Sequence, residues 1–414
     1  MKLLILGGGS GQLSAIKRAK KEGYTVIVSD YYPDAPGKKY ADYGELSSTF
    51  DIEANIGVAK KYNIDGVMTL GTDQPVYTAS KVAETMGLPY LIDSNTARAV
   101  TNKKYMKDIF RKNQIPTARF KYLNKDFKEK ELKNFKFPVV LKPFDSQGQR
   151  GVLKLNSIKE IRERFDEVLS FSREKEILLE EYYPSNEITL SGWVDNENVH
   201  ILSVTDRITY ENSPHIGICT AHYFPSRYLY DYYQEIKGLT YKIVRDFNIK
   251  NGPIYFQYLI GEEGIKVNEI ACRIGGAYEA DFMSKLSGVD ILSMVIDSSL
   301  GKAIDNTALK SYNLLDNNKW LSVQLLFARA GRIYKLTELG EILSLPGVLK
   351  VDFNFAKGEE IGKIKNATER AGYFIIIAEN REDLKIKLNR VYDNLKIYNT
   401  KMENLIIKSI GLVL

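Results

Sequence analysis

The sequence predicts an α/β chain of about three domains that opens with a parallel sheet and closes with a small α+β domain. Strands alternate with helices from residue 1 to about residue 95, which is the pattern of an open parallel sheet. A two-stranded hairpin is predicted between Ile254 and Gly276, and strands are again followed by a charged helix from Ser322 onward. At 414 residues the chain is too long for a single hydrophobic core.

The composition is typical of a soluble globular protein, with 44% apolar and 27% charged residues. The net charge of +6 is spread along the chain, which argues against a nucleic-acid-binding protein. Two cysteines, Cys219 and Cys272, cannot form a disulfide framework. No apolar run reaches the ~18 residues of a membrane helix. The apolar segment at the start of the sequence is short and interrupted by glycines, which does not fit a signal peptide. We therefore expect a cytoplasmic protein without nucleic-acid or membrane partners.

Four strands are predicted in the N-terminal sheet. The first is KLLIL, which runs into the glycine turn GGGSG, and the second is TVIVSD at residues 25–30. GVMTLGTD at residues 66–73 is the third strand, and GLPYLI at residues 87–92 is the fourth. Helices between the strands complete βαβ units.

The glycine turn after the first strand is similar to a dinucleotide-binding fingerprint. Gly7 and Gly9 occupy two of its positions, but Gln12 stands where the third glycine belongs. Asp30 lies about where an acid would bind ribose. An incomplete fingerprint leaves two interpretations open, a nucleotide site and a turn that only connects strand to helix.

The predicted hairpin contains the polar residues that are the main candidates for a functional site. Gln257 on its first strand is expected beside Glu269 on its second strand. Because side chains alternate along a strand, Glu269, Ala271 and Arg273 should point one way and Asn268 the other. A carboxylate and an amide on one face, with an arginine beyond them, suit a magnesium–nucleotide site. A salt-bridged antiparallel pair is the structural alternative.

A second phosphate-binding pattern lies in FPVVLKPFDSQGQRGV. A buried strand ends in Lys142, the glycine-containing loop at 146–151 follows, and VLKLN at 152–156 returns as a strand. Ammonium and backbone N–H groups of such a loop hold phosphate, although the order is not that of a Walker loop. A mobile turn with an exposed lysine is the alternative. Farther along, two acids end the apolar strand ILLEE, and Glu187 opens another strand.

Three other segments have weaker signals. Thr101 to Gln114 is predicted to be one lysine-rich helix, and residues 278–300 to be mostly apolar helix. Residues 211–226 are interpreted as a loop carrying His215 and His222, which are seven residues apart with no further ligand nearby. That spacing argues against zinc and leaves solvated histidines or a substrate-facing loop.

Taken in order, these segments resemble the ATP-grasp superfamily, most closely its carboxylate–amine ligase and carbamoyl-phosphate-synthase-like branches. The resemblance covers essentially the whole chain. It implies a Rossmann-like pre-ATP-grasp domain at 1–98 and a two-lobed ATP-grasp domain at 99–305, with a lid subdomain at about 116–180. A C-terminal α+β domain would occupy 306–414, and the polar segment 306–319 suits the boundary.

The resemblance assigns most of the polar motifs to ATP. Lys103 and Lys142 would contact the phosphates, and the loop at 146–151 would close over them. Glu180 would face the adenine amino group, the backbone from Glu181 to Tyr183 would face the edge of the adenine ring, and Glu187 would face the ribose hydroxyls. The nucleotide-binding residues implied are Lys103, Lys142, Ser146, Gly148, Gly151, Glu180, Glu181, Tyr182, Tyr183 and Glu187.

The resemblance also implies Mg²⁺ or Mn²⁺ held by Gln257 and Glu269, with Arg273 and Lys142 as the catalytic residues. Two positions depart from the family pattern. The first metal ligand is usually Glu and is Gln257 here, as in carbamoyl-phosphate synthases. The motif Glu-x-Asn-x-Arg has Ala271 in place of its asparagine, and alanine cannot coordinate a metal.

The activity implied is an ADP-forming ligase. ATP would phosphorylate a carboxylate, and an amine would attack the acyl phosphate, so that the substrates are a small acid and an amine, and amino acids are candidates for both. A carboxylase or carbamoyl-phosphate-type enzyme that activates bicarbonate is the alternative on the same fold. Because Ala271 cannot coordinate a metal, a non-catalytic ATP-binding protein remains a second alternative. A nicotinamide oxidoreductase is a poorer interpretation, because it gives Lys142 and Glu269 no role. A homodimer is compatible with the resemblance.

Overall fold

The small N-terminal sheet is parallel and has four strands. The computed structural model describes residues 1–412, and the strand order in this sheet is β3-β2-β1-β4. The strands are β1 (Lys2–Leu6), β2 (Thr25–Ser29), β3 (Tyr43–Glu45) and β4 (Gly66–Thr69), and all neighbours run parallel. The helices are α1 (Leu13–Lys21), α2 (Ile52–Tyr62) and α3 (Gln74–Met86).

The predicted strand at 87–92 is wrong. Gly87 ends α3 in the left-handed region, at φ 65°, and the chain then continues without strand pairing to the next helix. Pro89 within the segment has no N–H to donate to a sheet. The sheet instead contains a strand that was not predicted, β3. All three of its residues are exposed or half-buried, so no apolar run indicates it in the sequence.

The large sheet has twelve strands, and all of its neighbouring strands run antiparallel. Nine strands follow the order β13-β12-β9-β10-β11-β7-β6-β8-β5, and β14, β19 and β17 extend it from β11. The strands are β5 (Phe120–Leu123), β6 (Val139–Pro143), β7 (Leu153–Leu155), β8 (Ile177–Glu181), β9 (Asn186–Asp195), β10 (Asn198–Asn212), β11 (His215–Phe224), β12 (Gly252–Gly261), β13 (Gly264–Ala271), β14 (Trp320–Leu326), β17 (Val348–Phe353) and β19 (Gly372–Ala378).

Short strands and further helices complete the described chain. Two small ribbons pair β15 (Gly331–Arg332) with β18 (Glu360–Ile361), and β16 (Lys335–Leu336) with β20 (Ile397–Tyr398). The remaining helices are α4 (Ser94–Thr101), α5 (Lys103–Lys112), α6 (Ile158–Leu169), α7 (Leu229–Asp246), α8 (Glu279–Ser287), α9 (Ile291–Ser299), α10 (Thr307–Ser311), α11 (Leu339–Leu343) and α12 (Arg381–Asn394). None of the helices within residues 1–412 has the length and apolarity that crossing a membrane requires.

The predicted hairpin is confirmed as β12 and β13. The predicted single helix from Thr101 to Gln114 is wrong in its start, because Asn102 is extended between α4 and α5 and its side chain caps α5, accepting from the Lys104 N–H at 2.9 Å. Asparagine favours this cap position because its side-chain oxygen satisfies a free N–H of the first turn.

The predicted loop at 211–226 is also wrong. β10 and β11 form a long hairpin there, and His222 is buried rather than solvated. Bulges near Thr209 and Asn212 interrupt the alternation of side chains, which is why the segment does not show a strand pattern in the sequence. β11 pairs on its other side with β14, so the large sheet continues into the C-terminal part of the chain.

Candidate active site

Gln257 and Glu269 are adjacent on one face of the large sheet, as the sequence predicts. They are direct partners in the register of β12 and β13. Lys103, at the start of α5, reaches this face and forms an ion pair with Glu269 at 3.0 Å. Burial disfavours the charged carboxylate, but the neighbouring Lys103 ammonium outweighs it and lowers the pKa of Glu269. Glu269 is therefore an anion at neutral pH.

Asn268 lies on the same side as these two residues, which corrects the expectation from strand alternation. Gln257 pairs with Glu269 but Tyr258 pairs with Val267, so Asn268 is the extra residue of a β-bulge. A bulge re-aims side chains that strict alternation would separate. The Asn268 Oδ1 atom accepts a hydrogen bond from Lys142 Nζ at 2.9 Å, and its Nδ2 atom lies 3.4 Å from Gln257 Oε1.

Glu180, at the end of β8, is clamped between two lysines. Its carboxylate contacts Lys142 at 2.5 Å and also pairs with Lys107 of α5. Burial acts to raise the pKa of Glu180, but the two ammonium groups outweigh burial and lower it to about 2. The pKa of Lys107 is lowered by burial. These contacts run from Lys107 through Glu180 and Lys142 to Asn268, and they hold the Lys142 side chain beside the face that carries Gln257 and Glu269.

The glycine loop after β6 lies against both the N-terminal sheet and the C-terminal part of the chain. Gly148, Gln149 and Gly151 have φ values of 69°, 63° and 71°, a conformation that favours glycine at two of the three positions. The Ser146 carbonyl accepts from Lys103 Nζ at 3.1 Å. The Gly148 carbonyl accepts from the Ala367 N–H at 3.0 Å. The loop is therefore held next to Lys103, between the N-terminal sheet and the C-terminal part of the chain.

Arg273 leaves the hairpin and is anchored to the N-terminal sheet. Its Nε atom donates to Asp73 Oδ1 at 2.7 Å, and its guanidinium lies over the Tyr255 ring at 4.8 Å from the centroid. Asp73 follows β4, and its N–H donates to the Gln147 side chain of the glycine loop at 2.6 Å. Arg273, Asp73 and the loop thus join the two sheets at one point.

The segment after β8 and the start of β9 carry the residues that the resemblance assigns to adenine and ribose. Glu187 forms an ion pair with Arg207 at 2.5 Å, and Arg207 also donates to the Gly217 carbonyl at 3.0 Å. The N–H groups of Glu181 and Tyr182 donate to the carbonyls of Arg119 and Pro138, at 2.8 and 3.0 Å. Two of the three backbone groups expected at an adenine edge are therefore already bonded in this conformation.

The glycine turn of the N-terminal sheet is held by its own side chains. Asp30 accepts from the Gly8 N–H at 2.8 Å and from the Tyr32 N–H at 2.9 Å, which occupies both carboxylate oxygens. Gln12 accepts from the Gly9 N–H and donates to the Leu70 carbonyl, at 3.1 and 2.5 Å. These bonds favour the connecting turn over the dinucleotide site.

Four residues of this site were missed from the sequence: Lys107, Asp73, Arg207 and Asn268. Lys107 had a usable signal, because it stands four residues after Lys103 and so shares its helix face. The other three depend on a cross-sheet contact, a register and a bulge that no local pattern reveals.

The oxygen donors around Glu269 fit a magnesium ion. Mg²⁺ takes few protein oxygens and leaves its other positions to water and phosphate. Within residues 1–412 no group of three or more His, Cys, Asp and Glu side chains could hold a metal. The donors present are one carboxylate and the amides of Gln257 and Asn268, so a nucleotide phosphate would have to complete the coordination.

Comparison with known families supports the interpretation that this chain is an ATP-dependent ligase. Residues 135–281 match the ATP-grasp domain family, and residues 324–400 match the L-amino acid ligase C-terminal domain 2. The chain therefore contains an ATP-grasp domain. It is an ATP-dependent, ADP-forming ligase of the carboxylate–amine type, and it acts on small molecules.

Relatives of this ATP-grasp enzyme match along almost its whole length. A phosphoribosylamine–glycine ligase from Methanococcus maripaludis is 24% identical over 431 aligned positions, covering 96% of this chain and 94% of the relative. The crystal structure of an L-amino acid ligase from Bacillus licheniformis has a TM-score of 0.81 at 19% identity, covering 96% and 98%. A phosphoribosylglycinamide synthetase from Anaerococcus prevotii has a TM-score of 0.75 at 20% identity, covering 96% and 99%. The two structural matches establish the shared fold.

Proposed function

We propose that this ATP-grasp enzyme joins the carboxylate of one amino acid to the amino group of a second amino acid, and that it does so with Mg²⁺ or Mn²⁺. The observation that carries the proposal is the convergence of Lys103 and Lys142 on the Gln257, Asn268 and Glu269 face. The matched L-amino acid ligase domain at 324–400 supports amino acids as the substrates.

ATP is proposed to bind between this face and the glycine loop. Lys103 and Lys142 contact the phosphates, the loop at 146–151 closes over them, and Glu187 binds the ribose hydroxyls. Glu180 is assigned to the adenine side, where its lysine partners also fix its position. The nucleotide set is Lys103, Lys142, Ser146, Gly148, Gly151, Glu180, Glu181, Tyr182, Tyr183 and Glu187. Since the N–H groups of Glu181 and Tyr182 are bonded within the protein, Tyr183 is the backbone donor that we assign to the ring edge.

The metal is proposed to bind Glu269 and Gln257, with Asn268 as an additional oxygen donor. Asn268 takes the place of the motif asparagine that is Ala271 here. When bound, the metal neutralises charge on the phosphate oxygens during transfer. The Lys103 ion pair would be shared with the incoming phosphates, because the lysine already lies 3.0 Å from Glu269.

The chemistry requires no covalent enzyme nucleophile. A carboxylate oxygen attacks the γ-phosphorus of ATP, the bond to the β-phosphate oxygen breaks, and ADP leaves. Arg273 neutralises the developing charge on the transferred group and then on the acyl phosphate. The substrate amine attacks the acyl carbon and loses a proton, and phosphate departs with the former carboxylate oxygen. The glycine loop excludes water, which would otherwise hydrolyse the acyl phosphate.

The domain division 1–98, 99–305 and 306–414, with a lid at about 116–180, is part of this proposal. A cytoplasmic location, the absence of nucleic-acid and membrane partners and a homodimeric state are proposed with it. Hydrogen bonding between β11 and β14 makes the C-terminal part a continuation of the central sheet. It is therefore in a position to complete the substrate site.

Bicarbonate activation is the alternative on this fold, since a biotin carboxylase from Campylobacter jejuni has a TM-score of 0.73 at 17% identity. The test is a panel of amino acids and small acids, alone and in pairs, measured by ATP-dependent phosphate release with mass spectrometry of the products. We expect release to require two amino acids and to yield a dipeptide. Release that depends on bicarbonate, with no condensed product, would instead support the carboxylase.

A further inference from the structure

One continuous polar face runs from the metal residues to the C-terminal part of the chain. Residues paired in register point to the same side of a sheet. Gln257 pairs with Thr189, which hydrogen-bonds to Thr205, and both hydroxyls lie within 3.2 Å of His222 Nδ1. Beyond His222, Cys219 Sγ lies 3.2 Å from its Nε2 atom. This face, called here the acceptor face, leads away from the phosphate site.

Arg370 stands at the far end of the acceptor face and has an unsatisfied buried donor. Its Nε atom is buried without a hydrogen-bond partner. Other arginines of the cleft are paired, Arg207 with Glu187 at 2.5 Å and Arg273 with Asp73 at 2.7 Å. Arg370 has no carboxylate within 4.0 Å among residues 1–412. A guanidinium in this state is an incomplete site, because burying an unpaired donor is costly.

Three groups near Arg370 are either uncharged or already paired. His222 is deeply buried, and burial together with the charges of Arg207 and Arg370 lowers its pKa to about 3, so that it is neutral. Tyr278 lies under the guanidinium at 5.8 Å and stacks on Tyr373 at 3.4 Å. The nearby Asp281 is paired with Lys350 at 2.7 Å. None of these groups neutralises the Arg370 guanidinium, so it can pair with the anion of a ligand.

We propose that Arg370 binds the free carboxylate of the amine substrate, which makes the acceptor an amino acid or another amine that bears an anion. This inference rests on the proposed ligase function and specifies one of its two substrates. A planar guanidinium with fixed donors is suited to bidentate recognition of a carboxylate. Arg370 also lies in the segment that matches the L-amino acid ligase C-terminal domain 2.

The acid substrate is a less suitable partner for Arg370 than the amine substrate. Its carboxylate must lie beside Arg273 and the phosphates, where it is consumed when the acyl phosphate forms. The amine substrate keeps its own carboxylate through the reaction, and that charge needs a partner away from the phosphate site. Arg370 supplies one at the opposite end of the acceptor face.

The test separates nucleophile recognition from carboxylate activation. Hydroxylamine is a small neutral nucleophile that converts an acyl phosphate to a hydroxamate and has no carboxylate. L-Alanine and L-alaninamide, or the same pair for whichever amino acid the wild-type enzyme accepts, differ only in the anion. Arg370→Gln is compared with Arg370→Lys and with Arg332→Ala, a control arginine that is exposed and bonds to the Gly358 carbonyl.

We expect Arg370→Gln to raise the KM for L-alanine by about 10- to 100-fold, the loss of one charged hydrogen-bonding partner. Its KM for L-alaninamide and its rate of hydroxamate formation should stay unchanged. Arg370→Lys should recover part of the affinity because it restores the charge, and Arg332→Ala should behave as wild type. Thermal unfolding of each variant identifies any loss of fold.

Two results would overturn the inference. In the first, Arg370→Gln keeps the wild-type preference for L-alanine over L-alaninamide. In the second, hydroxamate formation falls as far as ligation does in a folded variant, which would place Arg370 with the acid substrate. A wild-type enzyme that forms no hydroxamate would contradict the proposed function itself, and that result is distinct from either of these.

Discussion

Lys107 and Lys142 bind the same carboxylate but should fail in different ways when they are truncated. The Lys107 side chain is 1% exposed and the Lys142 side chain is 14% exposed, and both contact Glu180. Lys107→Ala leaves a cavity and half of a buried carboxylate unpaired, which should destabilise the fold by about 3–5 kcal/mol. Lys142→Ala keeps the Lys107 pair, so its cost should be closer to about 1.5–3 kcal/mol.

Activity should follow the opposite order. Lys142 borders the cleft beside Asn268, so its truncation should lower kcat by about 10²- to 10³-fold, the size of losing one donor to the transferred group. Lys107→Ala should keep most of its turnover at temperatures where it is folded. Denaturant unfolding and ATP-dependent phosphate release measure the two effects, with Lys159→Ala as a control, since Lys159 is 85% exposed on α6. Normal turnover in Lys142→Ala would refute the phosphate role, and a folded but inactive Lys107→Ala would show that Lys107 also serves the nucleotide.

Four further substitutions test the metal and ribose sites. Glu269→Gln removes the anionic metal ligand and should abolish most turnover, and a variant that binds and turns over Mg-ATP like wild type would make the hairpin structural. Asn268→Ala should raise the magnesium concentration needed for the half-maximal rate, and it should weaken Mn²⁺ binding measured by electron paramagnetic resonance. Ala271→Asn should lower the magnesium concentration needed for the half-maximal rate. If neither variant changes the magnesium titration, the amide side chains do not bind the metal. Glu187→Ala should weaken ATP binding more than it slows kcat, and it should lower the unfolding midpoint because Arg207 loses its 2.5 Å partner; an unchanged apparent ATP affinity would contradict the ribose role.

The parts of the fold that could be predicted from the sequence are those with strong local patterns. The hairpin of β12 and β13, strand β6 and three strands of the N-terminal sheet each contain a clear apolar segment. The strand at 87–92 was wrong because an apolar run with Pro89 packs as an irregular segment. The β10 and β11 hairpin was missed because its bulges break the period of two.

The identity of most candidate site residues could be predicted from the sequence, but the contacts between them could not. Gln257 and Glu269 are partners because the bulge at Asn268 shifts by one residue the register that the turn sets, which would otherwise pair Gln257 with Asn268. Asn268 was assigned to the wrong face because a bulge changes the alternation by one residue, and a bulge has no signature in this sequence. Arg370 could not have been predicted, since it comes from a strand edge far along the chain and meets the cleft only through the pairing of β11, β14 and β19.

The central claim is that a substrate carboxylate is activated as an acyl phosphate. The most direct measurement supplies the acid substrate with both carboxylate oxygens labelled with ¹⁸O and analyses the released phosphate by mass spectrometry. Phosphate that carries one ¹⁸O atom per turnover, together with ADP, is the predicted result, because the attacking carboxylate oxygen leaves with the phosphoryl group. Unlabelled phosphate, or AMP with pyrophosphate, would contradict the account.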